Sequence, residues 1–197
     1  DYDSPAFDPF WEKAIELGLP VSFHILTAKS NIGDPSFRGP KMNSFLGILR
    51  ANQDIIGTFI FGGVFDRVPE LQIISVEADA GWVPHWAHRA DHAHDRHRNW
   101  LGGPIERRPS EYLFDHVSFT FQDDWTAFRM TELLATDKLL WASDHPHSDA
   151  TWPNSQELLE QQTAHLDTEV RDDILWRNTA RIYGIDESLF AAEGITA

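Results

Sequence analysis

Four short β-rich runs, PVSFHI, LQIISVE, HVSFTF and KLLWAS, are separated along this chain by stretches long enough to form helices. Such alternation leaves few folds open: parallel strands joined by right-handed helical crossovers, in an open doubly wound sheet or as part of a barrel. Three of the runs end at or just before a polar residue able to hold a metal or move a proton, namely His24, Glu77 and Asp144. Parallel α/β folds keep their sites at the carboxyl ends of their strands, so these three residues are expected on one rim.

Between the strands the periodicity is helical. After a start signal at Asp3 to Pro5, the residues Phe7, Phe10, Trp11, Ala14, Ile15 and Leu17 fall on one face, and Gly18 closes the helix. A polar loop is expected from about Thr27 to Pro40, followed by the apolar helix MNSFLGILRANQDIIGTFIFGGVFDRV, broken at Gly62 and Gly63. WVPHWAHRADHAHDRHRNW reads as a helix with Trp82, Trp86 and Ala90 inward. The third strand runs from His116 to Phe121, with a helix from Thr126 to Leu134 after it. Two closing helices, SQELLEQQTAHL and EVRDDILWRNTARIYGI, end at Gly184.

The 197 residues suffice for one domain with a substantial core, and 1–197 is read as a single domain. Sixteen basic against thirty-one acidic residues give a net charge of −15, which repels phosphate backbones and anionic membranes. Nucleic acid is therefore not an expected partner. No apolar run approaches the roughly 20 residues of a membrane span, and with no cysteine a metal must be held by His and carboxylate. A soluble, cytoplasmic protein is expected. Because the chain opens on Asp1 in what reads as a loop, the front of a larger protein is expected to precede it.

Each strand-end residue has a structural reading beside the functional one. His24 could ligate a metal or be a satisfied structural histidine. Glu77, followed by the small-residue turn ADAGWVP, could be a general base or the partner of an arginine. Asp144, in WASDHPHSDATWPNS, could bind a metal, accept a proton from water, or cap a turn. His145 and His147 flank it as support for a ligand or substrate. The densest histidine group, His85, His88, His92, His94 and His97, lacks the glutamate of an H-E-x-x-H site and reads as a solvated helical face. P-loop, dinucleotide and nucleophile-elbow motifs are absent.

PVSFH, GVFDRVPELQIISVEADAGWVPHWAHRAD, WASDHPHSDATWPNS and RNTARIYGI together resemble the amidohydrolase-related family that includes aminocarboxymuconate-semialdehyde and resorcylate decarboxylases. The resemblance implies a TIM (β/α)8 barrel of the metal-dependent hydrolase type, of which about strands 5 to 8 are present. It also implies one divalent metal, zinc or manganese, with His24 as the strand 5 ligand and Asp144 as the strand 8 ligand. The family's strand 1 ligand pair is not in this sequence, and Glu77 and Ala78 stand where the decarboxylases carry a catalytic histidine.

The expected activity is that of a metal-dependent hydrolase or non-oxidative decarboxylase acting on a small carboxylated, aromatic-derived compound. Asp144 and Glu77 are the expected catalytic groups, with His145, His147 and Trp82 placed for substrate contact or support. The competing expectation, from a different class, is an incomplete half barrel that oligomerises and binds metal weakly or not at all. Four parallel strands cannot close on themselves, so association with a second copy or with the missing half of the barrel is expected.

Overall fold

The computed structural model describes residues 1–25, 27, 39–103, 105–186 and 188–191. The loop expected at 27–40 lies almost wholly outside them. A 3₁₀ turn, Pro5–Phe7, is capped by Ser4, whose hydroxyl accepts from the Ala6 N–H, and leads into α1 (Asp8–Glu16). Then follow β1 (Val21–His24), α2 (Lys41–Phe61), α3 (Val64–Arg67), β2 (Ile73–Val76), α4 (Val83–Leu101), α5 (Pro109–His116), β3 (Val117–Phe121) and α6 (Trp125–Arg129). The remaining elements are β4 (Leu139–Trp141), α7 (Ser155–Thr163), α8 (Thr168–Asp172), a π-helical turn over Asp173–Arg177, α9 (Asn178–Tyr183) and α10 (Ser188–Ala191).

The strands form one sheet in the order β1-β2-β3-β4, all parallel, so the α/β reading holds. The register pairs Val21 with Ile73, Ile73 with Val117 and Phe119 with Leu139. Parallel pairing puts His24, Val76, Phe121 and Trp141 at the same end of the sheet, so the residues that follow them share a rim.

The helix-facing side of the sheet carries Phe23, Ile73, Val117, Phe119, Phe121 and Leu139, packed against Trp11, Ile56, Phe59, Phe65, Leu113, Phe128 and Ile174. Each fully buried side chain of this size contributes about 1.5–3 kcal/mol of apolar burial. Two buried asparagines fix the helices to the strands. Asn52 of α2 donates from Nδ2 to the Phe23 carbonyl and to Ser75 Oγ, both at 3.0 Å. Asn178 of α9 donates to the carbonyls of Thr136 and Leu139 at 2.8 and 2.9 Å.

Several local expectations are corrected. The third strand begins at Val117, not His116, because the segment before it is a separate helix, α5, with Pro109 in its first turn and Glu111 accepting from the Arg108 N–H at 2.9 Å. The helix expected from Thr126 to Leu134 ends at Arg129 and continues as a 3₁₀ turn. On α1 only Trp11 and Ala14 are buried, while Phe10 and Leu17 are exposed. β1, expected as a buried strand, is an edge strand that buries Phe23 alone.

The break between α2 and α3 falls at Gly62 and Gly63 as expected. Gly63 adopts φ 68°, a left-handed conformation open to glycine, and a Cβ on Gly62 would lie 2.5 Å from the Thr58 carbonyl. Gly184 stops α9 with φ 63°. No helix among the described residues is long and apolar enough to cross a membrane.

Candidate metal centre at the strand ends

His24 closes β1 with its ring fixed at both nitrogens. Nδ1 lies 2.5 Å from the Ile25 carbonyl, which can only accept, so Nδ1 carries the hydrogen and Nε2 faces Glu77. Nε2 in turn lies 2.7 Å from Glu77 Oε1, a contact that needs either a shared proton or a cation. Burial is the largest influence on this imidazole and lowers its pKa. The hydrogen bonds to Ile25 and Glu77, with the charges of Glu77 and Asp144, outweigh it and leave the pKa raised. Glu77, which touches His24 and also groups with Asp144 and His147, links the ends of β1 and β4, although these strands are the two edges of the sheet.

Glu77 follows β2 at φ 60°, and its N–H donates to Thr120 Oγ1 of β3 at 2.9 Å. Asp79 and Asp144 also take positive φ, 55° and 58°. Positive φ is rare outside glycine and costs of order 1–3 kcal/mol when the surroundings impose it. All three such residues sit just beyond strand ends on the same rim.

The turn from β2 to α4 is clamped from two sides. Asp124 accepts from the N–H groups of Ala80 and Gly81 at 2.8 and 2.6 Å while capping α6 through the Ala127 N–H at 3.1 Å. The Trp82 indole N–H donates to the carbonyls of Ala78 and Asp79 at 2.7 and 3.1 Å, and the ring packs edge-on against Phe119. Desolvation, aided by the charges of Asp124, Asp149 and Asp123, pushes Asp79 up to about 6.

Asp144 follows β4 with a side chain only 10% exposed, and its Oδ1 accepts from His147 Nδ1 at 2.9 Å. Glu77, Asp144 and His147 each present a ligand atom within 4.8 Å of the others. The backbone helps, since the His147 N–H donates to the Asp144 carbonyl at 2.9 Å and closes a turn that puts both side chains together.

Of the residues singled out in sequence, His24, Glu77, Asp144 and His147 are therefore brought together. His145 is exposed and packs against Trp152, with ring centroids 4.7 Å apart. Trp82 holds the β2–α4 turn. On α4, His85, His88 and His92 are exposed, as a solvated face requires, but the His94 side chain is only 9% exposed and its Nδ1 lacks a hydrogen-bond partner. Sequence reasoning missed Thr120 and Asp124. The D-D-W start of α6 was a visible capping signal for the second, while nothing in the pattern pointed Thr120 at Glu77.

The Amidohydrolase family model matches residues 1–185, and the chain belongs to that family. Among solved structures, 5-carboxyvanillate decarboxylase from Sphingomonas paucimobilis is 28% identical with a TM-score of 0.79, over 94% of this chain and 55% of that one. Two others show the same fold. The 2,6-dihydroxybenzoate decarboxylase from Rhizobium is 20% identical, with a TM-score of 0.71 over 94% of this chain and 57% of that one. A dihydroxybenzoic acid decarboxylase from Polaromonas, solved with bound manganese and the inhibitor 2-nitroresorcinol, is 19% identical, with a TM-score of 0.71 over 93% and 55%. The chain thus spans about half the length of these structures, and its four-stranded sheet matches part of an amidohydrolase TIM barrel. No curated protein sequence matches it.

Proposed function

We propose that this chain forms part of a metal-dependent enzyme that decarboxylates a small aromatic carboxylate without an oxidant. The observation that carries the reading is the grouping of Glu77, Asp144 and His147 at the strand-end rim, with His24 joined to it through Glu77 at 2.7 Å. The likeness to 5-carboxyvanillate decarboxylase supports the substrate class. We equate β1 to β4 with strands 5 to 8 of the barrel, which makes His24 and Asp144 ligands of the divalent ion.

The residues fit such an ion. His24 Nε2 faces the carboxylates with Nδ1 anchored to a carbonyl, the arrangement that orients a ligating histidine. Glu77, Asp144 and His147 also present ligand atoms within 4.8 Å of one another, a set that a divalent ion can bridge. When bound, the ion supplies positive charge that orients and polarises the substrate's oxygens. Imidazole and carboxylate donors accept zinc or manganese, the two ions the resemblance implies, and the manganese bound in the Polaromonas enzyme favours the latter.

This chain's own groups do the rest. Ile25 O holds the ring of His24 and Thr120 Oγ1 the backbone of Glu77, which leaves the Glu77 carboxylate facing the substrate as the proposed catalytic group. His145 and Trp152 offer a flat contact for a ring. A hydrolytic reading keeps one specific support: Glu77 replaces the histidine of the decarboxylases, and Asp144 would then accept the proton of the attacking water. A small molecule is the expected partner, and the edges of β1 and β4, unpaired among the described residues, are read as surfaces for further chain, from a second copy or the rest of the barrel.

Incubation with hydroxylated benzoates and manganese should release carbon dioxide, and His24→Ala or Asp144→Ala should each abolish it. Hydrolysis of an ester or amide of such acids without carbon dioxide would select the second reading. Activity retained in either variant would remove the assigned roles.

A further inference from the structure

We infer that a cavity beneath the last turns of α4 binds a small apolar carboxylate, at the end of the sheet opposite to the candidate metal centre. α2 and α4 follow the rim ends of β1 and β2 and lead back towards the start of the next strand, where α2 stops at Phe61 and α4 at Leu101. The space between those two helix ends has a volume of about 350 Å³, within the range of small-molecule sites. α4 has 19 residues and is about 28 Å long, whereas β2 has four and spans about 13 Å. The inward face that buries Val83, Ala87 and Ala90 therefore continues past the sheet, to His94 and Leu101. The chain then leaves α4 through Gly102 and Gly103, at φ 74° and 141°, which offer no side chain to fill the space.

The wall states what would fit. Phe61, Ala93, Leu101 and Ile105 make it mostly apolar, and its polar side chains are His94, His97 and Arg98. No carboxylate stands among the described lining residues, in a chain whose net charge is −15. An anion is thus repelled over most of this surface and admitted here.

His94 is the independent sign of a missing polar partner. Its side chain is nine-tenths buried, and its Nδ1 is shielded from solvent with no hydrogen-bond partner. Asp95 Oδ1, at 3.9 Å, is out of hydrogen-bond reach, and Asp95 Oδ2 is held by Arg108 at 2.8 Å. Buried polar groups are rarely left unpaired, because the lost hydration is not recovered. A carboxylate oxygen supplies the acceptor that the imidazole lacks, while the exposed guanidinium of Arg98 supplies positive charge at the opening. The hydrocarbon of the ligand then covers Phe61, Ala93, Leu101 and Ile105.

The test is titration of the 197-residue chain with sodium octanoate, followed by NMR of the histidine rings and arginine side chains, with octanamide as the uncharged control. One equivalent of octanoate should shift the signals of His94, His97 and Arg98 and leave those of His24 and His147 in place. Octanamide should bind more than about tenfold more weakly, and His94→Leu should lose about tenfold in octanoate affinity with an unchanged Tm, since it removes no hydrogen bond of the free protein. Arg98→Gln, and Leu101→Glu with its like charge at the opening, should each weaken octanoate by more than about threefold. Both positions are exposed, so these variants leave the fold intact. Equal binding of octanoate and octanamide, or wild-type affinity in Arg98→Gln and Leu101→Glu, overturns the inference. So does a His94→Leu chain with lowered Tm and unchanged affinity, which makes the ring structural. Shifts at His24 and His147 alone place octanoate at the rim, and no binding at about 10 mM leaves the cavity without this ligand; either result also overturns it.

Discussion

The two loops that supply the rim are built in opposite ways. The β2–α4 turn, from Glu77 to Trp82, is tied down by Thr120, by Asp124 and by its own indole, and Ala78 and Ala80 within it are fully buried. The loop after β4 holds Asp144 close to the sheet but leaves His145, His147 and Trp152 in solvent. One side of the mouth is thus set before a ligand arrives, and the other can adjust to it.

The contrast is open to attack at three points. The largest effect is expected from Asp124→Ala, which strips the acceptor from three backbone N–H groups at once, two of them in the β2–α4 turn. Unfolding by urea should show a loss of about 2–4 kcal/mol, compounded of a lost helix cap and unsatisfied buried donors. A loss below about 0.5 kcal/mol would mean the turn holds itself and the contrast is overstated.

The second point is titration of that turn in the presence of a chelator. Asp79 is raised by desolvation to about 6 in the fold, above its unfolded value, so the folded state prefers the protonated form. Its contribution is fully present below the unfolded value near pH 4, and is lost as pH rises through about 6. Asp79→Asn should therefore flatten the pH dependence of stability between about pH 4 and 6. An unchanged slope would place Asp79 in water.

The smallest effect is expected in the loop after β4, where Trp152→Ala and His147→Ala should shift stability by no more than about 0.5 kcal/mol each. Trp152→Ala should nonetheless raise the KM for an aromatic carboxylate. A stability loss of several kcal/mol from either would show that this loop is as firmly built as its neighbour.

The same division explains what could be read from the sequence. The four strands, and the residues at or just beyond the ends of three of them, were legible because short β-rich runs alternate with helical periodicity, and parallel topology fixes the shared rim once the alternation is seen. α5 was hidden because Tyr112, Leu113 and Phe114 run almost directly into HVSFTF, merging a helix and a strand into one apolar stretch. The approach of His147 to Glu77 was out of reach, since it depends on a loop with no periodicity. Of the two roles expected for Trp82, substrate contact or support, the sequence could not choose, because the use of its indole N–H on two backbone carbonyls depends on the fold of the turn.

A crystal of this chain grown with manganese, with diffraction recorded at the manganese edge, tests the central claim most directly. The account predicts a single anomalous peak at the strand-end rim, about 2.0–2.3 Å from His24 Nε2 and from a carboxylate oxygen of Asp144. A peak on the α4 histidines, or none at the rim, would contradict it.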